Sequence, residues 1–573
     1  MIKEIAIIGV GGLGREISAI IKAINKVRLT WEIIGFFDDS EHIGDVNGLP
    51  YLGNLSDLKS YKKTLSIVIG VGNPGVKKKI FSEINIGFVF PNIIHPSASV
   101  DFGTLKMGQG NVIAINTVLT VNIKLSNFTY INTGSILAHD VIVGDFTMIM
   151  PSVTISAGAK IGKEVYIGNG VKIDQPINIE DCSYIPIGQL LSFQKKRNNQ
   201  ILLSASNVSL ANTYSYYFEA IQNNEVTSRG SNINGFEGDL ENYLGNNTKV
   251  AVLSSGTAAL HLAMVMSGIV KDDVVLCQSM TYAASANPIC YQGAIPVFID
   301  SEPHTWNMCP EKLEITIKDL IAKNQKPKAV VIVHLYGMPA KIDEILAIVK
   351  KYEIILIEDA AEALGSSYKG QMCGTFGDYG VLSFNGNKII TTSGGGALVC
   401  KNEEEKTRAI FLATQSRDNA VHYQHSEIGY NYRMSNVLAG IGRGQMQVLD
   451  KNIKQRRDNN EFYKSLFKNV IGIEVFNEPS DSYMSNHWLS CVLIDENITG
   501  FSREELRLHL LKFNIESRPS WKPMHLQPVF EKFRYYGDGI SEKIFKKGLC
   551  LPSGSNLLDE DRERIKKAIL LMF

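Results

Sequence analysis

The spacing of apolar residues changes twice along the first 200 positions. Ile5-Ala-Ile-Ile8 is a short continuous apolar run, closed by Gly9-Val-Gly-Gly-Leu-Gly14 and followed by a helical stretch from Arg15. A second run, Ile33-Ile-Gly-Phe-Phe37, ends on Asp38-Asp39; Ile67-Val-Ile-Gly70, a helix from Pro74 and Phe88-Val-Phe90 come next. Buried strands alternating with helices predict a small parallel α/β sheet that stops near residue 92. From about Val100 to Leu190 the period is six: Met107, Ile113, Leu119, Leu125, Ile131, Leu137, Val143, Ile149, Ile155, Ile161, Ile167, Ile173, Ile179 and Ile185 are all apolar. At 45% apolar content, such a run arises by chance roughly once in 10⁵ trials. Neither helical nor alternating-strand spacing fits it. Hexads of this kind predict a parallel β-helix with three short strands per coil, and the fourteen make between four and five coils.

From Ile201 the pattern returns to helices alternating with strands, predicting a large α/β fold with a smaller C-terminal unit from about residue 450. The expected division is 1–92, 93–193, a polar and basic linker over 194–203, then 204–449 and 450–573. The linker, Gln194 to Gln200 at its centre, is too short for a long flexible tether. At 573 residues the chain exceeds what one core supports.

Charge adds little: 58 basic residues balance 58 acidic ones, which gives no electrostatic reason to expect nucleic acid or an anionic membrane as partner. No apolar run reaches the roughly 18 residues of a spanning helix and no leader precedes Gly9, so a cytoplasmic protein is expected. The eight cysteines are scattered without Cys-x-x-Cys or Cys/His spacing, which predicts reduced, mostly buried thiols and no metal site.

Three constellations carry candidate chemistry. Gly9, Gly11, Gly12 and Gly14 follow a strand and open a helix, and Asp38 and Asp39 end the next strand. Glycines there let a backbone approach a diphosphate, and an acid can hold a ribose hydroxyl. With room for only half of a full dinucleotide fold, a nucleotide-sugar site is favoured over NAD; the alternative is that the glycines only let helix and strand pack closely. Next, His139 stands one residue past the small position of its hexad, where side chains point outward, and Asp140 follows it. An imidazole can take a proton from an ammonium nucleophile while a carboxylate fixes its tautomer. A lone surface histidine is the inert alternative. Lastly, the second half holds, in order, what pyridoxal phosphate requires. Ser255-Gly256-Thr257 begins a helix and can cradle phosphate. Tyr282 can stack on the ring, and Asp359 ends the strand Ile354-Ile-Leu-Ile-Glu-Asp where it can meet the ring nitrogen. Ser383 precedes Lys388 by five residues, and Lys388 is the candidate for covalent attachment. Taken singly, Asp359 as a cap, Tyr282 as core and Lys388 as a solvated side chain are the plainer readings.

On these residues two family resemblances rest. Gly-x-Gly-x-x-Gly, Phe37-Asp-Asp39, Ile94-His-Pro-Ser97 and His139-Asp140 make residues 1 to about 190 similar to the sialic-acid O-acetyltransferase and bacillosamine N-acetyltransferase family. That resemblance implies a Rossmann-like domain holding a nucleotide sugar, a left-handed parallel β-helix that trimerises, acetyl-CoA between β-helices, and His139 as general base. The chain departs from it after Ile185-Pro-Ile-Gly-Gln-Leu190, running into Phe193-Gln-Lys-Lys-Arg197 where relatives close with a further coil. Residues 201–573 resemble DegT-type nucleotide-sugar aminotransferases through Ser255-Gly-Thr-Ala-Ala-Leu-His261, Glu358-Asp-Ala-Ala-Glu362-Ala-Leu-Gly365, Ser383-Phe-Asn-Gly-Asn-Lys388, Gly429-Tyr-Asn-Tyr-Arg-Met434 and Leu549-Cys-Leu-Pro-Ser-Gly. This implies a fold-type I aminotransferase in which Lys388 bonds to the cofactor, Glu362 lies beside it, and Asn431 reaches the phosphate of a partner across a dimer. Glu516-Ser-Arg518-Pro-Ser-Trp-Lys-Pro-Met-His525 resembles the subgroup acting on 4-keto-6-deoxy sugars with a 2-acetamido group, which makes Arg518 and His525 candidate sugar-nucleotide contacts.

Together these readings predict an α/β multidomain, bifunctional enzyme. Glutamate would supply an amine to C4 of a UDP-2-acetamido-4-keto-2,4,6-trideoxyhexose, and acetyl-CoA would acetylate it. A GDP-sugar of the perosamine type, or an inactive β-helix scaffold, are the alternatives. Trimeric β-helix and dimeric aminotransferase together predict a homo-oligomer of six.

Overall fold

The computed structural model describes residues 2–40, 44–61, 64–84, 87–174, 176–191, 200–245 and 247–573. The chain forms two compact units, Met1–Lys196 and Arg197–Phe573. Most of the expected linker, together with Phe193 just before it, lies outside the described residues.

In the first unit, strands β1 (Lys3–Ile8), β2 (Trp31–Phe37), β3 (Tyr51–Gly53) and β4 (Ser66–Ile69) form a parallel sheet in the order β3-β2-β1-β4. The last four residues of β1, Ile5 to Ile8, are buried with side chains on both faces, which is why they read as an unbroken apolar run. Ala6 and Ile8 pack with Leu58 and Ile80. On the opposite face Ile5 and Ile7 meet Ile17 and Ile21, together with Val112, Ala114, Tyr130 and Met148 of the repeat region. Sheet and repeat therefore share one core. Phe88-Val-Phe90 contributes only a single bridge, Ser66 to Val89. Lys77 is enclosed in this core, its Nζ donating to the Phe128 carbonyl at 3.2 Å. Burial pulls its pKa down to about 7.

The repeat forms a left-handed parallel β-helix of two-residue strands from Ile93–Ile94 to Leu190–Leu191, stacked in three sheets of five, six and six strands. Partners such as Leu125 and Val143 are 18 residues apart, one coil of three hexads. The stack is longer than the fourteen hexads predict. Leu191 adds one strand at the end, and Ile94 and Val100 add two at the start, masked in the sequence because the interval from Val100 to Met107 is seven residues. The hexad side chains fill the interior. Three residues after most of them the backbone enters the left-handed region: Asn116, Asn122, Phe128, Asp140, Phe146, Ser152 and Glu164, with Gly134, Gly158 and Gly170 in the same place. That conformation makes each corner turn sharply enough for the next strand to fall on the next face.

The second unit is built on an eight-stranded sheet, ordered Lys249–Leu253, Gly396–Cys400, Tyr379–Ser383, Ile355–Asp359, Ala329–Val333, Val274–Gln278, Ile295–Ile299 and Tyr535–Tyr536. Gly396–Cys400 runs antiparallel to both neighbours and the remaining pairs are parallel. Apolar clusters lie on both faces. A four-stranded antiparallel sheet of Ile473–Val475, Ser490–Ile494, Gly548–Leu551 and Arg518–Pro519 completes the unit. Tyr535–Tyr536 comes from the C-terminal part of the chain yet closes the edge of the large sheet.

Candidate active sites

At the C-terminal ends of the parallel strands in the large sheet lies a cavity of about 730 Å³, the position where open α/β sheets bind ligands. Ser255, Gly256, Thr257, Tyr282, Asp359, Glu362, Ser383 and Lys388 all line it. The helix Gly256–Met266 starts at its floor, with the Ser255 hydroxyl accepting from the Ala258 amide at 3.0 Å. First-turn amides have no intrahelical partner and suit an anion. Packing there is tight: a Cβ on Gly396 would lie 2.3 Å from the Gly256 nitrogen, and one on Gly256 would meet the Ser383 Cβ at 3.1 Å.

Asp359 ends its strand as a buried carboxylate. Its Oδ2 accepts from the Ser285 hydroxyl at 2.6 Å and its Oδ1 from the Ala361 amide at 3.2 Å. Burial raises its pKa, and these hydrogen bonds oppose the rise. Lys388 Nζ donates to Glu362 Oε1 at 3.1 Å, and the two side chains are 13% and 4% exposed. The Tyr336 amide donates to the other Glu362 oxygen at 2.8 Å. Burial pushes the Glu362 pKa up to about 6 against the opposing pull of Lys388. The Trp488 ring centroid is 4.3 Å from the lysine nitrogen, within cation–π range. A helix-start cup for phosphate, an enclosed carboxylate for a ring nitrogen and a lysine on a buried acid are together a donor set that fits pyridoxal phosphate.

Other candidates lie at or beyond the rim. Tyr282 is 64% exposed and its ring meets that of Trp521 at 5.7 Å. Arg518 lines the cavity but is tied to Glu516 at 2.9 Å. His525 does not line it: Nδ1 is bound to the Ser279 hydroxyl at 2.7 Å, Nε2 to Glu542 at 3.2 Å, and the ring stacks on Tyr535. Asn431 is exposed, bridged to Thr414 and apart from the cavity. Sequence reasoning missed Ser285, Trp488 and Ser204. Ser285, three positions past Tyr282, was within reach of a motif reading; the other two carry no local signal.

In the first unit, His139 Nδ1 and Asp140 Oδ2 are 2.7 Å apart on an exposed corner of the β-helix, 59% and 54% exposed. With Nδ1 bound to the carboxylate, Nε2 is the basic nitrogen. Asn122, one coil earlier, donates to Asp140 Oδ1 at 3.0 Å. Those two hydrogen bonds lower the Asp140 pKa, the one from His139 more. An 18-residue offset from Asp140 would have found Asn122. At the sheet end a smaller cavity of about 260 Å³ is lined by Gly9, Asp38, Asp39, Val71, Ile80 and Glu83 among others. The glycines divide by role. A Cβ on Gly14 would fall 1.8 Å from the Gly9 carbonyl, and one on Gly9 would meet the Gly70 carbonyl at 2.8 Å, so these two serve close packing. Gly11 and Gly12 face open space. Asp38 braces the loop by accepting from the Val10 amide at 2.9 Å, and Asp39 accepts from the Leu55 amide at 2.9 Å.

Residues 210–570 match the DegT/DnrJ/EryC1/StrS aminotransferase family. The chain belongs to that family. Residues 4–84 match the PglD N-terminal domain and 140–175 the bacterial transferase hexapeptide (six repeats). EpsN of Bacillus subtilis is 46% identical over 362 residues, covering 62% of this chain and 92% of EpsN. GDP-perosamine synthase of Escherichia coli O157:H7 is 38% identical over 349 residues, 60% of this chain and 91% of that enzyme. The crystal structure of a DegT DnrJ EryC1 StrS aminotransferase from Brucella abortus superposes with a TM-score of 0.59 at 27% identity, over 63% of this chain and 94% of that one. The protein is thus a pyridoxal-phosphate-dependent sugar aminotransferase of this family joined to a PglD-like hexapeptide unit. Among the described residues no helix is long and apolar enough to cross a membrane.

Proposed function

We propose that the protein places one nitrogen on a nucleotide-linked sugar and then acylates it. The second unit takes the amino group of glutamate and delivers it to C4 of a UDP-2-acetamido-4-keto-2,4,6-trideoxyhexose; the first transfers acetyl from acetyl-CoA to the new amine. The observation that carries this reading is the enclosed Lys388–Glu362 pair in one cavity with Ser255, Thr257 and Asp359. Pyridoxal phosphate, when bound, supplies a carbonyl that accepts the amine and an electron-poor ring. Ser255, Gly256, Thr257 and Ser383 hold its phosphate, and Asn431 of a second copy reaches the same group. Tyr282 covers the ring from the rim. Asp359 keeps the ring nitrogen protonated, and Lys388 moves the proton at the sugar's C4 while Glu362 steadies its ammonium. Arg518 and His525 are assigned to the sugar nucleotide, Arg518 by direct contact and His525 through the segment it fixes.

In the first unit His139 Nε2 removes a proton from the sugar ammonium. The amine attacks the thioester carbonyl, the N–C bond forms, the C–S bond breaks and CoA leaves as its thiol. Gly11, Gly12, Asp38 and Asp39 border the nucleotide. One nucleotide sugar must satisfy both units, and the resemblance of the first unit to bacillosamine acetyltransferases favours UDP. The GDP reading draws support from the likeness to GDP-perosamine synthase. Incubation with the UDP keto-sugar, glutamate and acetyl-CoA is expected to give a product one acetyl heavier than the amino sugar. No amination of that sugar, with amination of the GDP-linked 4-keto-6-deoxy sugar, selects the second reading.

A further inference from the structure

The segment that follows the junction between the two units is itself part of the aminotransferase cavity. Leu203 and Ser204 line it. The segment is pinned like an added strand: the Ile201 amide donates to the Asn514 carbonyl at 2.8 Å and the Glu516 amide to the Ile201 carbonyl at 2.8 Å. The Leu203 amide donates to Glu516 Oε2 at 3.1 Å, and the Ser553 amide to the Leu203 carbonyl at 2.8 Å. So anchored, the segment presents two hydroxyls to the loop ahead of the lysine. Ser204 Oγ donates to the Asn387 carbonyl at 2.8 Å, and Ser206 Oγ donates to the Gly386 carbonyl.

The Asn387 carbonyl is shared. Trp488 Nε1 also donates to it at 2.8 Å, and the same indole carries the Lys388 ammonium on its face. Below them Arg456 is fully buried. Its Nη2 donates to Ser204 Oγ at 3.0 Å and its Nη1 to the Trp488 carbonyl. No carboxylate pairs with Arg456 among the described residues, and burial draws its pKa down to about 9. A buried cation without a counter-ion is costly, so it is retained where its hydrogen bonds hold something in place. Here they close a ring, Arg456 to Ser204 to Asn387 to Trp488 and back to Arg456, around the base of Lys388.

We propose that residues 201–206 act as a strap that positions Lys388, with Ser204 as the positioning residue that joins the strap to the Asn387 carbonyl and the Trp488 indole. A lysine that bonds to the cofactor would have to leave it and come back during turnover, and a fixed loop would bring it back to one place. The inference rests on the reading of the cavity as a pyridoxal phosphate site.

The test compares two forms of the cofactor on the full chain. Pyridoxal phosphate bonds to Lys388, whereas pyridoxamine phosphate cannot, so only the first senses where the lysine stands. Affinities are read from quenching of tryptophan fluorescence for the natural protein, Ser204→Ala, Ser204→Thr and Ser206→Ala. Ser204→Ala is expected to weaken pyridoxal phosphate about tenfold, as loss of one buried hydrogen bond with its partners left unpaired would. Pyridoxamine phosphate should move less than about twofold, and Ser204→Thr should restore the difference. Ser206→Ala repeats the contrast should Ser204→Ala fail to fold. Unchanged pyridoxal phosphate affinity, or equal loss for both compounds, overturns the strap. Failure of the natural protein to bind either compound overturns the cavity reading on which it rests.

Discussion

Lys388–Glu362 and His139–Asp140 are both a basic nitrogen beside a carboxylate, and they differ chiefly in water. The first pair is 13% and 4% exposed at 3.1 Å, the second 59% and 54% exposed at 2.7 Å. In the cavity the surroundings dominate, since burial moves Glu362 up to about 6 despite the cation beside it. On the β-helix the immediate hydrogen bonds dominate, and Asp140 moves down. Exposed pairs are screened and contribute little by themselves. An enclosed site makes its own electrostatics. An open one acquires them only when a substrate or another subunit covers it, and this is the physical reason to expect the first unit to work as an oligomer.

Replacing each basic group in turn separates the two sites most sharply. Lys388→Ala is expected to lower amine transfer on the order of 10⁴-fold, while acetylation of an added 4-amino sugar stays unchanged; coupled mass-spectrometric assays of the two steps read both. His139→Ala is the mirror experiment, expected to cost acetyl transfer about 10²-fold and to leave amination intact. Unaltered acetylation in that variant would make the first unit a scaffold. A light-scattering mass of a dimer, in place of six chains, would remove the oligomer argument.

Acidity sharpens the contrast in smaller steps. Above pH about 6 Glu362 is ionised and holds the Lys388 ammonium; below it the carboxyl is protonated and the link is lost. Amine transfer should therefore fall as pH drops through about 6, and a pH–rate profile of Glu362→Gln should lack that limb. The last effect concerns stability. Lys77 has a folded pKa of about 7 against an ordinary value of 10.5. Between these values the unfolded chain holds a proton that the folded chain lacks, so stability rises with pH across that window. The slope approaches about 1.4 kcal/mol per pH unit. In Lys77→Met that slope should vanish from the unfolding of the first unit, followed by denaturant titration between pH 7 and 10.

Much of this was legible in the chain because the relevant physics is local and periodic. An apolar residue every six positions stacks only one way, and the helix start at Ser255-Gly256-Thr257, the strand end at Asp359 and the order of the lysine motif survive as text. The hexad count was less complete than the 93–193 division: one inserted residue between Val100 and Met107 left two strands inside that division out of the fourteen. The glycine motif was legible as a whole and not by role, since only the close approaches of Gly14 to the Gly9 carbonyl and of Gly9 to the Gly70 carbonyl separate packing glycines from those that face open space.

By itself the sequence determined the architecture of each unit and the family of the second, and it picked out Lys388 and His139 as candidates, because periodicity and ordered motifs are set by residues near one another in the chain. Only the tertiary structure decided which acid meets Lys388, that Trp488 and Arg456 lie around it, that Ser204 from the junction holds its loop, and that Asn122 supports Asp140. Each of these pairs residues across 18 to 252 positions, and burial, which sets the charge state of Glu362 and Lys77, is a property of the whole fold and of no segment within it.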